Sequence, residues 1–267
     1  MAFRVTDLGK SSAFYENLLG YAEPFSLSDR SGRANISVVK INDQQYIELL
    51  QGDLRSRGQF DHLALYTDDL PAIRRLLVSQ RIPILLDIHR GRTGNPFLTT
   101  IDPDGHLVEI LQYLSTSLTA QSRGQFMPAS RVSSHLAHVG IAVASPESAM
   151  KFYQDVLGFR EFSGVRNGQP GQIFLQVGAE YIELLALKGA PSPAYLRSQN
   201  HVALEVTDVR QTVDQLQSRA SGFLTSAIEV QTGGGLPRRA NLYDPDGVRI
   251  ELMESLPAGL HPSELKP

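Results

Sequence analysis

Apolar and polar residues alternate along Ala137-His138-Val139-Gly140-Ile141-Ala142-Val143, a β-rich run that predicts a strand. Ser145, Pro146 and Glu147 come next, a capping residue followed by proline at the first helical position. Ala149, Phe152, Tyr153, Val156 and Leu157 then recur at three- and four-residue spacing and stop at Gly158, the pattern of a helix packed on one face. Further strands are expected at Gln172 to Val177 and Glu180 to Leu185, split by a Gly-Ala turn, with a short one near Arg160 to Gly164. The unit reads strand, helix, three strands. It returns from His201, through a helix near Val209 to Ser218, to a last strand at Val248 to Met253. Two earlier copies occupy residues 1–52 and 58–113.

The copies are related in pairs. Phe14-Tyr15 with Leu19-Gly20-Tyr21 returns as Phe152-Tyr153 with Leu157-Gly158-Phe159. Tyr46-Ile47-Glu48-Leu49-Leu50 returns as Tyr181-Ile182-Glu183-Leu184-Leu185, and Asp61-His62-Leu63-Ala64-Leu65 as Asn200-His201-Val202-Ala203-Leu204. Asp102-Pro103-Asp104-Gly105 returns as Asp244-Pro245-Asp246-Gly247, each followed four residues after the glycine by Glu109 or Glu251. The expected organisation is an N-terminal domain over 1–114, a linker over 115–135 rich in Ser, Thr, Gln and Arg, a C-terminal domain over 136–255, and an irregular tail over 256–267. Because Tyr15 matches Tyr153, Met1 falls opposite Val139 and nothing stands opposite His138, so the first strand reads as truncated.

Composition narrows the chemistry. The 267 residues suffice for two domains with their own cores, and 42% hydrophobic with 20% charged residues reads as globular. A net charge of −3 gives no reason to expect nucleic acid or an anionic membrane as partner. No apolar run approaches a membrane span, the N-terminus lacks a signal-peptide plan, and a cytoplasmic location is expected. With no cysteine there is neither a disulfide framework nor a thiolate site, so any metal must sit on histidine and carboxylate.

Strand parity gathers such groups. His138, Gly140 and Ala142 share one face of their strand, and Val139, Ile141 and Val143 share the other. The same parity turns Glu183, His201 and Glu251 away from the apolar faces of their own strands. If the curved sheets of units three and four close on each other, two imidazoles and two carboxylates converge in a cup and suit one divalent first-row ion. A lone histidine at the start of a strand is usually structural, but four such residues at matched offsets in a duplicated unit are hard to explain that way. His135 sits at an odd offset and reads as linker, while Glu205 shares the parity of His201 and reads equally as a surface charge. Arg238, Arg239 and Asn241 follow the glycine turn Gly233-Gly234-Gly235, as Gly91 to Asn95 do in unit two. They read as a flexible hairpin with solvated arginines, the alternative being a cap over the cup.

On these phrases the chain resembles the vicinal oxygen chelate superfamily, which includes glyoxalase I, methylmalonyl-CoA epimerase, bleomycin-resistance proteins and type I extradiol dioxygenases. The resemblance implies an α+β fold of tandem βαβββ modules (glyoxalase/bleomycin resistance/dihydroxybiphenyl dioxygenase-like), four modules in two domains, with units one and two paired and three and four paired. It implies metal ligands His138, Glu183, His201 and Glu251, similar to the glyoxalase I pattern, on one divalent ion such as Zn, Ni, Mn or Fe(II). The first half keeps Glu48, His62 and Glu109 without a fourth residue and reads as a vestigial or structural remnant.

The leading expectation is a glyoxalase-like isomerase or lyase acting on a small oxygenated substrate through a metal-stabilised enediolate, with Glu183 or Glu251 moving the proton. The alternative is an extradiol dioxygenase using His138, His201 and Glu251 on Fe(II). Against it, those enzymes do not usually carry a carboxylate at the Glu183 position, and they place a tyrosine where this chain has Asn241, with Tyr243 two residues on. A third reading is a metal-free binding module like the bleomycin-resistance proteins. All three take a small-molecule partner and are compatible with a homodimer.

Overall fold

Each of the four repeated helices begins at a side-chain cap, and this punctuation sets the register of the strands around it. In α1 (Leu8–Ala13) Asp7 accepts from the amide of Lys10, and in α2 (Leu70–Ser79) Asp69 accepts from that of Ala72. A short α3 (Leu118–Gln121) follows, and then Ser145 caps α4 (Pro146–Met150) and Asp208 caps α5 (Val209–Arg219). The computed structural model describes residues 1–53, 59–161, 172–187, 198–220, 222–224, 227–233 and 236–255, with positions 189, 192 and 195. The expected strand beyond Glu161, the Gly234–Gly235 part of the glycine turn and the tail over 256–267 lie outside the described residues.

The spacing of Phe152, Tyr153, Val156 and Leu157 predicts an ordinary α-helix. The structure instead runs α4 into a π-helical turn over Lys151–Val156, as α1 runs into one over Phe14–Leu18. The amide of Leu157 bonds the carbonyl of Phe152, and that of Leu19 the carbonyl of Phe14. This wider turn buries both Phe152 and Tyr153, and both Phe14 and Tyr15.

Among the described residues, sixteen strands form two sheets of eight. The first holds β1 (Ala2–Val5), β2 (Ala22–Ser28), β3 (Ala34–Lys40), β4 (Tyr46–Gln51), β5 (Phe60–Tyr66), β6 (Ile84–Arg90), β7 (Pro96–Ile101) and β8 (Leu107–Leu111). The second holds β9 (Leu136–Val143), β10 (Arg160–Glu161), β11 (Gln172–Val177), β12 (Glu180–Ala186), β13 (His201–Val206), β14 (Val230–Gly233), β15 (Leu236–Tyr243) and β16 (Arg249–Glu254). Their spatial orders are β2-β3-β4-β1-β5-β8-β7-β6 and β10-β11-β12-β9-β13-β16-β15-β14. Antiparallel contacts of β1 with β5 and of β9 with β13 join unit one to two and unit three to four, the expected pairing. Val139, Ile141, Val143, Ile182, Leu184, Val202, Leu204, Ile250 and Leu252 fill the buried faces of the second sheet. Burial of one such side chain is worth about 1.5–3 kcal/mol. No helix among the described residues is long and apolar enough to cross a membrane.

The segment read as a linker is tied down along its length. The amide of Leu118 bonds the carbonyl of Thr93, the buried Lys40 ammonium donates to the carbonyl of Ser122, and the amide of Val132 bonds the carbonyl of Leu19. Ser117 caps α3, and Ser117, Ser122 and Ser133 are buried. His135 ends it against two acids: its Nδ1 lies 2.6 Å from Glu205 and its Nε2 3.8 Å from Glu180. The carboxylates of Glu180 and Glu205 raise its pKa to about 9. That contribution to stability is complete below the unfolded value near 6.5 and is lost as pH rises through 9. His135→Gln is therefore expected to cost about 1 kcal/mol at pH 6 and little at pH 10. Urea denaturation at the two pH values checks this, and an equal cost at both would exclude the ion pair as its source.

Candidate metal centre

Gly140 organises the second cup. On β9 it is the register partner of Glu183 on parallel β12 and of His201 on antiparallel β13. His138 lies two residues away on the same face, beside Ala203 and Tyr181. The His201 imidazole lies over Gly140 so closely that a Cβ there would stand 1.9 Å from Cε1 and 2.2 Å from Nδ1. Only glycine leaves room for that ring.

Three of the four expected ligands come together. Glu183 Oε2 is 3.5 Å from His138 Nε2 and 3.2 Å from His201 Nε2, and the two Nε2 atoms are 3.3 Å apart. All three side chains are buried, and their ligand atoms lie within 4.8 Å of one another, so the group could hold a metal ion. Gln172 Nε2 donates to Glu183 Oε1 at 2.7 Å, and the Phe174 ring meets His138 edge-on. Burial pushes the Glu183 carboxyl up, but the hydrogen bonds to His138 and His201 outweigh it and hold it well below the usual carboxylate range. Burial also lowers His201, with Arg249 adding to the effect and Glu183 opposing it. Both shifts favour neutral imidazole beside ionised carboxylate, the protonation states that ligation requires.

Glu251, the fourth expected ligand, is buried on β16 but stands outside this group. Its register partner on β13 is Ala203, and the β16 side of His201 is taken by Arg249. The Arg249 Nη2 touches His201 Nδ1 and lies 3.1 Å from its Nε2. Sequence reasoning missed Arg249, although its two-residue offset from Glu251 places it on the same strand face.

The remaining candidates disperse. Arg238 pairs with Glu254 at 2.7 Å and Asp208 at 3.5 Å, on the helix side of the sheet. Arg239 donates to Gln231. Asn241 is the register partner of Glu251 on the cup face, and its buried Oδ1 has no hydrogen-bond partner. Tyr243 is exposed, and Glu205 is bound to His135 and Ser255.

The first cup repeats the plan more loosely. His62 Nε2 is 3.9 Å from both Glu48 and Glu109, while Nδ1 faces Asp61 at 3.0 Å. Burial opposes protonation of His62, but Asp61, Glu109 and Glu48 together raise its pKa. Among the described residues these three groups do not gather as closely as those of the second cup.

Sequence profiles place this architecture. Profiles described as Glyoxalase/Bleomycin resistance protein/Dioxygenase superfamily match residues 135–252 and residues 1–99. The chain belongs to that superfamily. It is 30% identical over 124 residues to a lactoylglutathione lyase of Haemophilus influenzae, an alignment spanning 44% of this chain and 90% of the relative. It is 29% identical over 129 residues to a mitochondrial methylmalonyl-CoA epimerase of Mus musculus, spanning 45% of this chain and 72% of that protein. Among solved structures, a Mn(II)-bound glyoxalase from Novosphingobium aromaticivorans superposes with TM-score 0.68 at 20% identity, covering 95% of this chain and 80% of that one. Homoprotocatechuate 2,3-dioxygenase from Brevibacterium fuscum, as its E323L mutant, superposes at 0.67 with 18% identity, covering 95% and 70%. At such identities these structures speak for the fold alone.

Proposed function

We propose that the protein is a divalent-metal-dependent isomerase, epimerase or lyase of the glyoxalase type, working in the second cup on a small substrate with paired oxygens. The observation that carries this reading is Glu183, whose Oε2 reaches both imidazoles and so brings a β12 carboxylate into the ligand group. The dioxygenase alternative needs that carboxylate from Glu251, which lies outside the group. The similarity to a lyase and an epimerase supports the same choice.

His138, His201 and Glu183 would hold the ion, which when bound supplies Lewis-acid polarisation of the substrate oxygens. Gln172 fixes Glu183 by occupying Oε1, so that Oε2 stays directed at the imidazoles. Glu251 is left as the proton-moving group, because its carboxylate is buried in the same sheet and makes no hydrogen bond among the described residues. The Phe174 ring packs edge-on against His138 and helps hold that imidazole in place.

Glu183→Ala is expected to lower metal content and turnover together, by about 100-fold or more. The measurement is bound metal, followed by hemithioacetal isomerisation and epimerisation assays beside oxygen uptake with catechols under Fe(II) reconstitution. Oxygen-dependent turnover that survives Glu183→Ala would reverse the assignment in favour of ring cleavage.

A further inference from the structure

Arg249 brings a cation into the second cup. It is half-buried on β16, in register with His201, and among the described residues it forms no ion pair with any carboxylate. Its Nε is buried without a hydrogen-bond partner, and its Nη2 rests on the His201 ring nitrogens. A guanidinium donates only, so this contact uses an imidazole lone pair. Ligation through Nε2 would use that lone pair and leave the ring proton on Nδ1, where the Gln199 carbonyl lies 3.4 Å away. Arg249 would then be free to meet another partner. Nε and Nη2 lie on one edge of the guanidinium, the edge that forms two parallel hydrogen bonds with a carboxylate. In the first cup the residue in register with His62 is Leu107, so no arginine stands at the matching position.

We propose, building on the metal-site reading above, that Arg249 is the specificity-determining residue of this cup and selects substrates bearing a carboxylate beside the paired oxygens. Glu183 and the buried Glu251 bring negative charge for the ion, which leaves the unspent donor edge of Arg249 for an anionic group of the substrate.

The test uses full-length zinc-loaded protein, with tartronate and lactate as probes, titrated calorimetrically against wild type, Arg249→Gln and Arg249→Lys. Tartronate and lactate share an α-hydroxycarboxylate and differ by one carboxylate in place of a methyl. Wild type is expected to prefer tartronate by about 30-fold, and Arg249→Gln to reduce that preference to about 3-fold or less while lactate affinity holds. Arg249→Lys, which keeps the charge without the fork, should fall between them. Zinc affinity of Arg249→Gln should equal or exceed that of wild type, because the competing guanidinium is gone. A loss of zinc affinity in Arg249→Gln would make Arg249 a structural residue and overturn the proposal. Equal tartronate and lactate binding by zinc-loaded wild type would overturn the role of Arg249 alone. Tartronate affinity that Arg249→Gln leaves unchanged would overturn the carboxylate assignment. Failure of wild type to bind zinc would overturn the site and this proposal together.

Discussion

Gly140→Ala is expected to reduce zinc affinity by about 100-fold or more while leaving the fold intact, a loss at least as large as those caused by changes outside the ligand set. The added methyl would stand 1.9 Å from His201 Cε1 and 2.6 Å from its Nε2, so the imidazole must leave its position. Backbone strain is not the cause. Gly140 is not among the glycines with positive φ, and alanine in a strand is no worse conformationally than glycine. The first half contains the natural counterpart. There Ala2 is the register partner of both Glu48 and His62, and the imidazole-carboxylate distance is 3.9 Å, against 3.2 Å across Gly140. Equilibrium dialysis against zinc, with circular dichroism as a folding control, measures the effect. The double variant Gly140→Ala/His201→Ala should bind zinc no more weakly than His201→Ala alone, since both changes remove the same ligand. Wild-type zinc affinity in Gly140→Ala would show that the ring does not need the glycine.

Period-two parity and the internal repeat carried most of the fold and the three residues that gather as a candidate metal group. Strand faces follow from alternation, so His138, Glu183 and His201 fall on one surface by parity alone. Glu251 shows the limit of that reasoning. Parity assigns a face, but the reach of a side chain across the sheet depends on its neighbours, and here Arg249 stands beside His201. The π-helical turns were hidden because three- and four-residue apolar spacing also suits an α-helix, and only the i+5 bonds distinguish them. The Asp-Pro-Asp-Gly turns were legible as repeats but not as ties between the halves, because a partner far away in the chain leaves no local pattern. Asp246 accepts from the amide of Thr6 and from Ser11, and Asp104 from the amide of Ala144.

Asp102→Ala is expected to destabilise the protein by about 3–5 kcal/mol, because it removes one partner from a buried network and leaves the others uncompensated. Asp102 Oδ1 accepts from the amides of Asp104 and His106, at 2.9 and 2.8 Å. Its Oδ2 faces His106 Nδ1 and accepts from the Tyr153 hydroxyl, each at 2.9 Å. The Tyr153 bond crosses from the helix of unit three to the turn of unit two, so the carboxylate joins the two halves as well as closing its own turn. The matching carboxylate of the second copy, Asp244, is less tightly held. Tyr15 reaches Asp244 at 3.4 Å, Val248 occupies the position of His106, and burial above all raises the Asp244 carboxyl to about 7. With no histidine beside it, ionised Asp244 lacks the partner that Asp102 has, which is why the larger effect is expected at Asp102. Tyr153→Phe, which removes one hydrogen bond and leaves the turn intact, should cost about 1.5–3 kcal/mol. Guanidinium unfolding followed by circular dichroism separates the two variants. A cost below about 1 kcal/mol for Asp102→Ala, the range of an exposed pair, would mean that the halves are held together elsewhere.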